Sequence, residues 1–224
     1  MTFLPLWAIS KPMFFLVFEG LDGSGKSSLM SMLSDHLKNA GSEVLCTREP
    51  GGTPLGDQIR SLILSHAGEN APVARAELLL YEAGRAQHVE KIIRPALTNK
   101  KWVLCDRFSA SSVAFQGGGR EISFHEVEWL NHFATYSLKP HLTVLLDLPV
   151  EVSRKRRSQR SGHTGEIEDR IESENDLFHE RVRTSFLSQA KSAPAEWLVL
   201  NAEDSREGLF AALVTELRKR KWIS

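Results

Sequence analysis

Eight consecutive residues restrict this chain more than any other feature. Gly20-Leu21-Asp22-Gly23-Ser24-Gly25-Lys26-Ser27 fits the pattern G-x-x-x-x-G-K-[ST], between an apolar run and a helical one. Glycines let the backbone wrap so that successive N–H groups point inward, and the positive end of the following helix adds to the field. Such a nest takes a nucleotide's phosphates: Lys26 reaches the outer ones, and the Ser27 hydroxyl ligates magnesium. By average composition the pattern arises by chance in a chain this long on the order of one per cent of the time. A glycine-rich turn without a ligand is the alternative.

The rest of the pattern agrees with a nucleotide fold. Apolar runs at 14–18, 43–47, 102–106, 142–146 and 197–201 lack clean polar alternation, as strands covered on both faces do. Helical periodicity fills 26–39, 55–64, 75–97, 124–136, 150–160, 169–190 and 206–221. This alternation predicts an α/β chain: a three-layer P-loop NTPase fold whose five-stranded parallel sheet is flanked by helices. Ligands then sit beyond the carboxyl ends of the strands, where the polar motifs fall. No linker divides the chain. One domain is expected over 13–224, preceded by a non-essential extension at 1–12, with an amphipathic docking peptide as the lesser reading. The loose stretch 158–168 reads as part of a small mobile lid over about 154–168.

Composition excludes several functions. Lys plus Arg and Asp plus Glu each number 28, so no global field draws the chain to nucleic acid or a membrane surface. The apolar N-terminal run is far too short to span a bilayer. Two cysteines, Cys46 and Cys105, end apolar runs and read as buried, reduced thiols of a cytoplasmic protein. Asn99-Lys100-Lys101-Trp102 puts a tryptophan where a GTPase's base-reading carboxylate belongs, and that reading fails.

A second set of motifs stands opposite the cradle. Strand two ends in Thr47-Arg48-Glu49-Pro50-Gly51-Gly52, and strand three in Asp106-Arg107-Phe108, followed by Ser111-Ser112-Val113-Ala114-Phe115-Gln116-Gly117. Arg48 and Arg107 would face the cradle, where planar guanidinium forks hold a phosphate dianion bidentately. Asp106, beside Ser27, would hold magnesium through water; a surface ion pair with Arg107 is the plainer reading. With Phe18-Glu19-Gly20-Leu21-Asp22, Arg85-Ala86-Gln87 and Asp169-Arg170-Ile171-Glu172, these segments resemble bacterial thymidylate kinase, in the family's order, over about residues 13–215.

The resemblance implies transfer of the γ-phosphoryl group of ATP to dTMP, magnesium as cofactor, a place in dTTP synthesis, and a homodimer. It implies that Asp22 contacts the sugar 3′-hydroxyl, Tyr81 stacks on thymine and Arg85 donates to a base carbonyl. Ser111, Ser112 and Gln116 would line the acceptor's site, Phe115 would pack under the sugar, and Pro50 or Phe115 would meet the thymine methyl. Tyr81 and Phe115 are otherwise ordinary core aromatics. The stripe Val127, Leu130, Ala134 and Leu138 is either dimer interface or core. In this family a cradle without an internal arginine is paired with catalytic arginines in the lid. Arg154, Arg157 and Arg160 are the candidates, with Arg160 chosen for the transferring phosphoryl group. His163 has nothing to protonate, because the acceptor is already an anion. Two rivals remain: another small kinase on the same scaffold, acting on dCMP or on nucleosides with Glu49 as general base, and a nucleotide-binding switch without phosphotransfer.

Overall fold

The computed structural model describes residues 13–65, 68–164 and 169–224. The expected extension at 1–12 and the end of the expected lid lie outside these residues, as does the side chain of His163. Five strands, β1 (Phe15–Glu19), β2 (Val44–Arg48), β3 (Trp102–Asp106), β4 (Leu142–Asp147) and β5 (Trp197–Asn201), form one parallel sheet in the order β2-β3-β1-β4-β5. All five expected strands are present within a residue at each end.

The three inner strands are buried along nearly their whole length, which explains their unbroken apolar sequences. Edge strand β2 is covered less completely, and Cys46 is exposed there. That corrects the expectation of two buried thiols; only Cys105, on inner strand β3, is enclosed. One face of the sheet packs α1 (Lys26–Asn39) and α9 (Arg206–Lys219) through Leu16, Leu33, Leu104, Leu213 and their neighbours. The other buries Phe15, Val17, Val103 and Phe108 against Val89 and Ile93. Each such side chain contributes roughly 1.5–3 kcal/mol by leaving water.

The other α-helices among the described residues are α2 (Pro54–Leu64), α3 (Ala74–His88), α4 (Arg94–Thr98), α5 (Ser109–Ser112), α6 (Phe124–Thr135), α7 (Val150–Thr164) and α8 (Asp176–Ser192). A wide turn at Val89–Ile93 joins α3 to α4, so one expected helix is interrupted near its end. The Ser109–Gly119 stretch, read from sequence only as a motif, is helical: α5 widens into a second π turn at Val113–Gly119. Gly119 allows this turn to press on α8, since a Cβ there would come within 2.5 Å of Phe178.

Two boundaries differ from expectation for local reasons. Helix α7 continues to Thr164, through residues expected to be loose. Conversely, residues 169–174 are not the start of a helix. Asp169 Oδ1 accepts from the N–H groups of Ile171 and Glu172, both at 2.9 Å, and folds them into a turn. The helix begins after Asn175, whose side chain caps it by accepting from Phe178 N at 2.9 Å.

Candidate active site

The loop from Gly20 to Ser27 leaves the end of central strand β1 and opens α1. Gly20 needs its freedom: its φ is 133°, and a Cβ would meet the Leu146 carbonyl at 2.4 Å. Lys26 is buried beneath the loop and donates to the carbonyls of Gly20 and Leu21, both at 3.1 Å. Burial and Arg107 lower its pKa, against the pull of Asp22. Ser27 Oγ donates to Asp106 Oδ2 at 3.0 Å, so the two expected magnesium residues are neighbours.

Arg107 follows β3 in a left-handed backbone conformation, φ 70°. Its amide donates to Phe18 O at 3.0 Å, and Glu19 anchors the next turn by accepting from Phe108 N at 2.9 Å and Ser111 Oγ at 2.6 Å. This rigid corner aims the guanidinium at Asp22 Oδ1, 2.8 Å away. Lys26 Nζ lies 3.6 Å from the same oxygen. Burial alone would raise the Asp22 carboxyl; Arg107 and Lys26, with Arg157 behind them, outweigh it and hold it far below the usual range. Burial pushes the Glu19 carboxyl up to about 7, although Arg107 lies close. Glu19 carried no sequence signal beyond its place ahead of the loop.

Beyond Arg107 opens a cavity of about 500 Å³ at the carboxyl ends of the strands. Of the residues expected at the acceptor, Asp22, Pro50, Tyr81, Arg85, Arg107, Ser111, Ser112, Phe115 and Gln116 all line it, and Arg160 reaches it from α7. Phe115 is both wall and core, since it also packs near Phe178 and Phe186. The Arg107 guanidinium stands 5.0 Å over its ring. Arg85 is 2% exposed and held on every side: Nε by Glu49 (2.8 Å), one terminal nitrogen by Ser112 (2.9 Å) and Asn131 (2.7 Å), the other by Phe108 O (3.1 Å).

Arg48 departs from expectation. It is exposed, lines no part of the cavity and makes no ion pair among the described residues. The last residue of an edge strand has no neighbour on its outer side to turn it inward. Arg60 of α2 lines the cavity instead and donates to Pro50 O at 3.2 Å; one arginine among many on a helix gave no sign of this. Glu49, the general base of the nucleoside-kinase alternative, is occupied at both oxygens, Oε1 by His88 Nδ1 at 2.9 Å and Oε2 by Arg85.

The α7 arginines separate. Arg154 is exposed, pairs with Asp176 and lines neither this cavity nor the one beside Arg156. Arg157 is buried, donates to Ser153 Oγ at 3.0 Å, and Ser153 in turn donates to Asp22 O at 2.7 Å. Arg160 pairs with Glu172 at 2.6 Å. Arg156 donates to Gly23 O and Ala202 O, both at 3.1 Å, and lines a second cavity of about 310 Å³ with Ser24, Met32 and Asp204. Its neighbours in the basic run were the ones singled out, since spacing along one helix does not say which face meets the loop.

Comparison with known proteins decides the family. The model of the family described as thymidylate kinase matches residues 18–212. The chain belongs to the thymidylate kinase family. It is 61% identical over 207 residues to the thymidylate kinase of Bdellovibrio bacteriovorus, covering 92% of this chain and 96% of that one. The Geotalea daltonii thymidylate kinase is 44% identical over 209 residues, with 91% and 97% covered. The crystal structure of Ehrlichia chaffeensis thymidylate kinase superposes with a TM-score of 0.73 at 30% identity, covering 92% of this chain and 99% of that one. No described helix is long and apolar enough to cross a membrane.

Proposed function

We propose that this member of the family transfers the γ-phosphoryl group of ATP to dTMP, giving dTDP and ADP in the supply of dTTP. One observation carries the reading: Asp22 Oδ1 lies within 3.6 Å of Lys26 and 2.8 Å of Arg107, so the phosphate cradle and the cavity open onto one point. Two anionic phosphates, one from each side, would meet there.

The backbone from Gly20 to Ser27 wraps the ATP phosphates, and the cavity beside Arg156 takes the nucleoside end. Arg107 grips the acceptor phosphate as a fork, in place of Asp22 or together with it. Tyr81 and Phe115 bound the acceptor's apolar faces, Arg85 and Gln116 its polar edge. The attacking phosphate oxygen is already anionic, so no general base is required, and Glu49 keeps its partners. Catalysis consists of alignment and charge neutralisation in a site shielded from water. Arg157, next to the cradle, suits the transferring group better than Arg160, which lies with the acceptor.

One hydroxyl and one carboxylate, Ser27 and Asp106, fit a hard divalent ion completed by phosphate oxygens and water, as Mg2+ prefers. No cluster of three or more His, Cys, Asp or Glu among the described residues offers an all-protein site. Such an ion supplies neutralisation of phosphate charge.

A second copy of the chain is the fitting partner, and of the two readings of the 127–138 stripe, interface or core, burial favours core. Val127 and Ala134 are buried in this chain's own core, and Leu138 packs on it. The outward face of α6 and its end instead exposes Trp129, Phe133 and Tyr136, with Trp129 and Phe133 stacked at 5.9 Å. Phe133→Glu is expected to shift sedimentation to a monomer; an unchanged particle mass rejects this face. The exposed, unpaired Cys46 fits work in the reducing cytoplasm.

A coupled assay of ADP release across acceptors tests the central reading. Turnover of dTMP well above that of thymidine is expected. A preference for thymidine, or ATP binding without acceptor-dependent ADP release, overturns it.

A further inference from the structure

Behind the cavity wall, Glu77 is completely buried in the first turn of α3. Its Oε1 accepts from Gln116 Nε2 at 2.8 Å and, at a longer 3.4 Å, from Arg120 Nε, and its Oε2 faces Arg120 at 3.3 Å and Arg170. Both arginines are fixed elsewhere, Arg120 by Glu174 at 2.6 Å and Arg170 by Ile63 O at 3.0 Å. A carboxylate between two guanidinium groups only accepts hydrogen bonds, so Gln116 must turn its NH2 toward it. The flipped amide would set oxygen against oxygen. Gln116 lines the cavity, and its Oε1 has no donor among the described residues. The end of the amide left for a ligand is therefore an acceptor.

We propose that Glu77, which touches no substrate, is a specificity-determining positioning residue. It locks the Gln116 amide so that the site accepts a hydrogen bond from a pyrimidine N3–H and disfavours a pyrimidine whose N3 carries no hydrogen. This rests on the reading of dTMP as acceptor. Thymine has a donor at N3 and cytosine an acceptor, so the lock acts against dCMP from outside the pocket. A buried polar group left facing its own kind discriminates more strongly than an apolar contact does.

The test is kcat/KM for dTMP and dCMP in Glu77→Gln. The two guanidinium groups then claim the one remaining oxygen, the new NH2 faces Gln116, and Gln116 reverses. The dTMP-to-dCMP ratio is expected to narrow about tenfold or more, mainly through the KM for dTMP. A merely structural role lowers both substrates together, and an unchanged ratio overturns the proposal. Arg120→Met also breaks the buried ion cluster but leaves Glu77 on Gln116; it must keep the wild-type ratio even at a lower Tm, and a narrowed ratio there also overturns it. Should Glu77→Gln not fold, NMR of the wild type with 15N-labelled glutamine decides. The Gln116 NH2 protons, assigned by their loss in Gln116→Glu, must resist solvent exchange with and without dTMP, and rapid exchange rejects the lock. Failure of the acceptor reading itself is distinct, since wild type would then release no ADP with dTMP.

Discussion

The two halves of the site are built in opposite ways. The cradle is eight consecutive residues, closed on itself by the Lys26 contacts with Gly20 and Leu21. The acceptor cavity takes Asp22, Pro50, Tyr81, Arg85, Phe115 and Asp169 from stretches separated by tens of residues. A contiguous nest depends on local backbone geometry. A cavity gathered from strand ends and four helices depends on the whole packing. The donor side should therefore lose chemistry abruptly when one group goes, and the acceptor side should lose affinity and selectivity in steps.

Lys26→Ala makes the hardest test of this contrast. Its kcat should fall by 10³-fold or more on the order-of-magnitude scale of lost phosphate stabilisation. dTMP binding by titration should stay within about threefold. Equal loss of dTMP affinity would erase the separation between the halves. Arg107 belongs to both, so Arg107→Lys, which keeps charge and loses the fork, should lower kcat/KM about 10²-fold with both parameters affected. A pure KM effect would return Arg107 to the acceptor side alone.

The α7 arginines sharpen the boundary. Arg157→Ala is expected to lower kcat about 10²-fold, since Arg157 stands by the cradle through Ser153. Arg160→Ala should raise the KM for dTMP by about tenfold and leave kcat nearly intact. The reverse pattern in steady-state kinetics would restore Arg160 as the arginine on the transferring group.

The smallest effect concerns Glu19, which supports the Arg107 corner from the core. Its folded pKa, about 7, lies above the ordinary value of 4.5. The folded chain thus holds this proton more tightly, and the associated stability is complete below about pH 4.5 and fades as pH rises through about 7. Thermal melts between pH 5 and 8 should show a decline in wild type that Glu19→Gln lacks. Parallel curves would mean that the corner does not titrate.

Much was legible because it was local or periodic. The loop motif fixed the donor side, and unbroken apolar runs marked the sheet within a residue at each strand end. Motif order brought nearly every expected acceptor residue to one cavity. The misses share a cause. Arg48 and Arg60 exchange places because a one-dimensional pattern does not show that β2 is an edge strand. The 169–174 turn reads as helix until Asp169 is seen taking two backbone N–H groups. Arg156 and Glu77 are ordinary charges on helices until their faces are known.

By itself, then, the order of residues determined a parallel sheet, a phosphate nest at the end of its central strand and the family's acceptor motifs. Each of these follows from backbone conformation and side-chain period over a few residues. Only the packing decided which arginines reach the cavity, which helix face stays uncovered and which way the Gln116 amide turns. Those depend on burial and charge contributed by segments far apart in the chain, and such contributions have no signature until the segments meet.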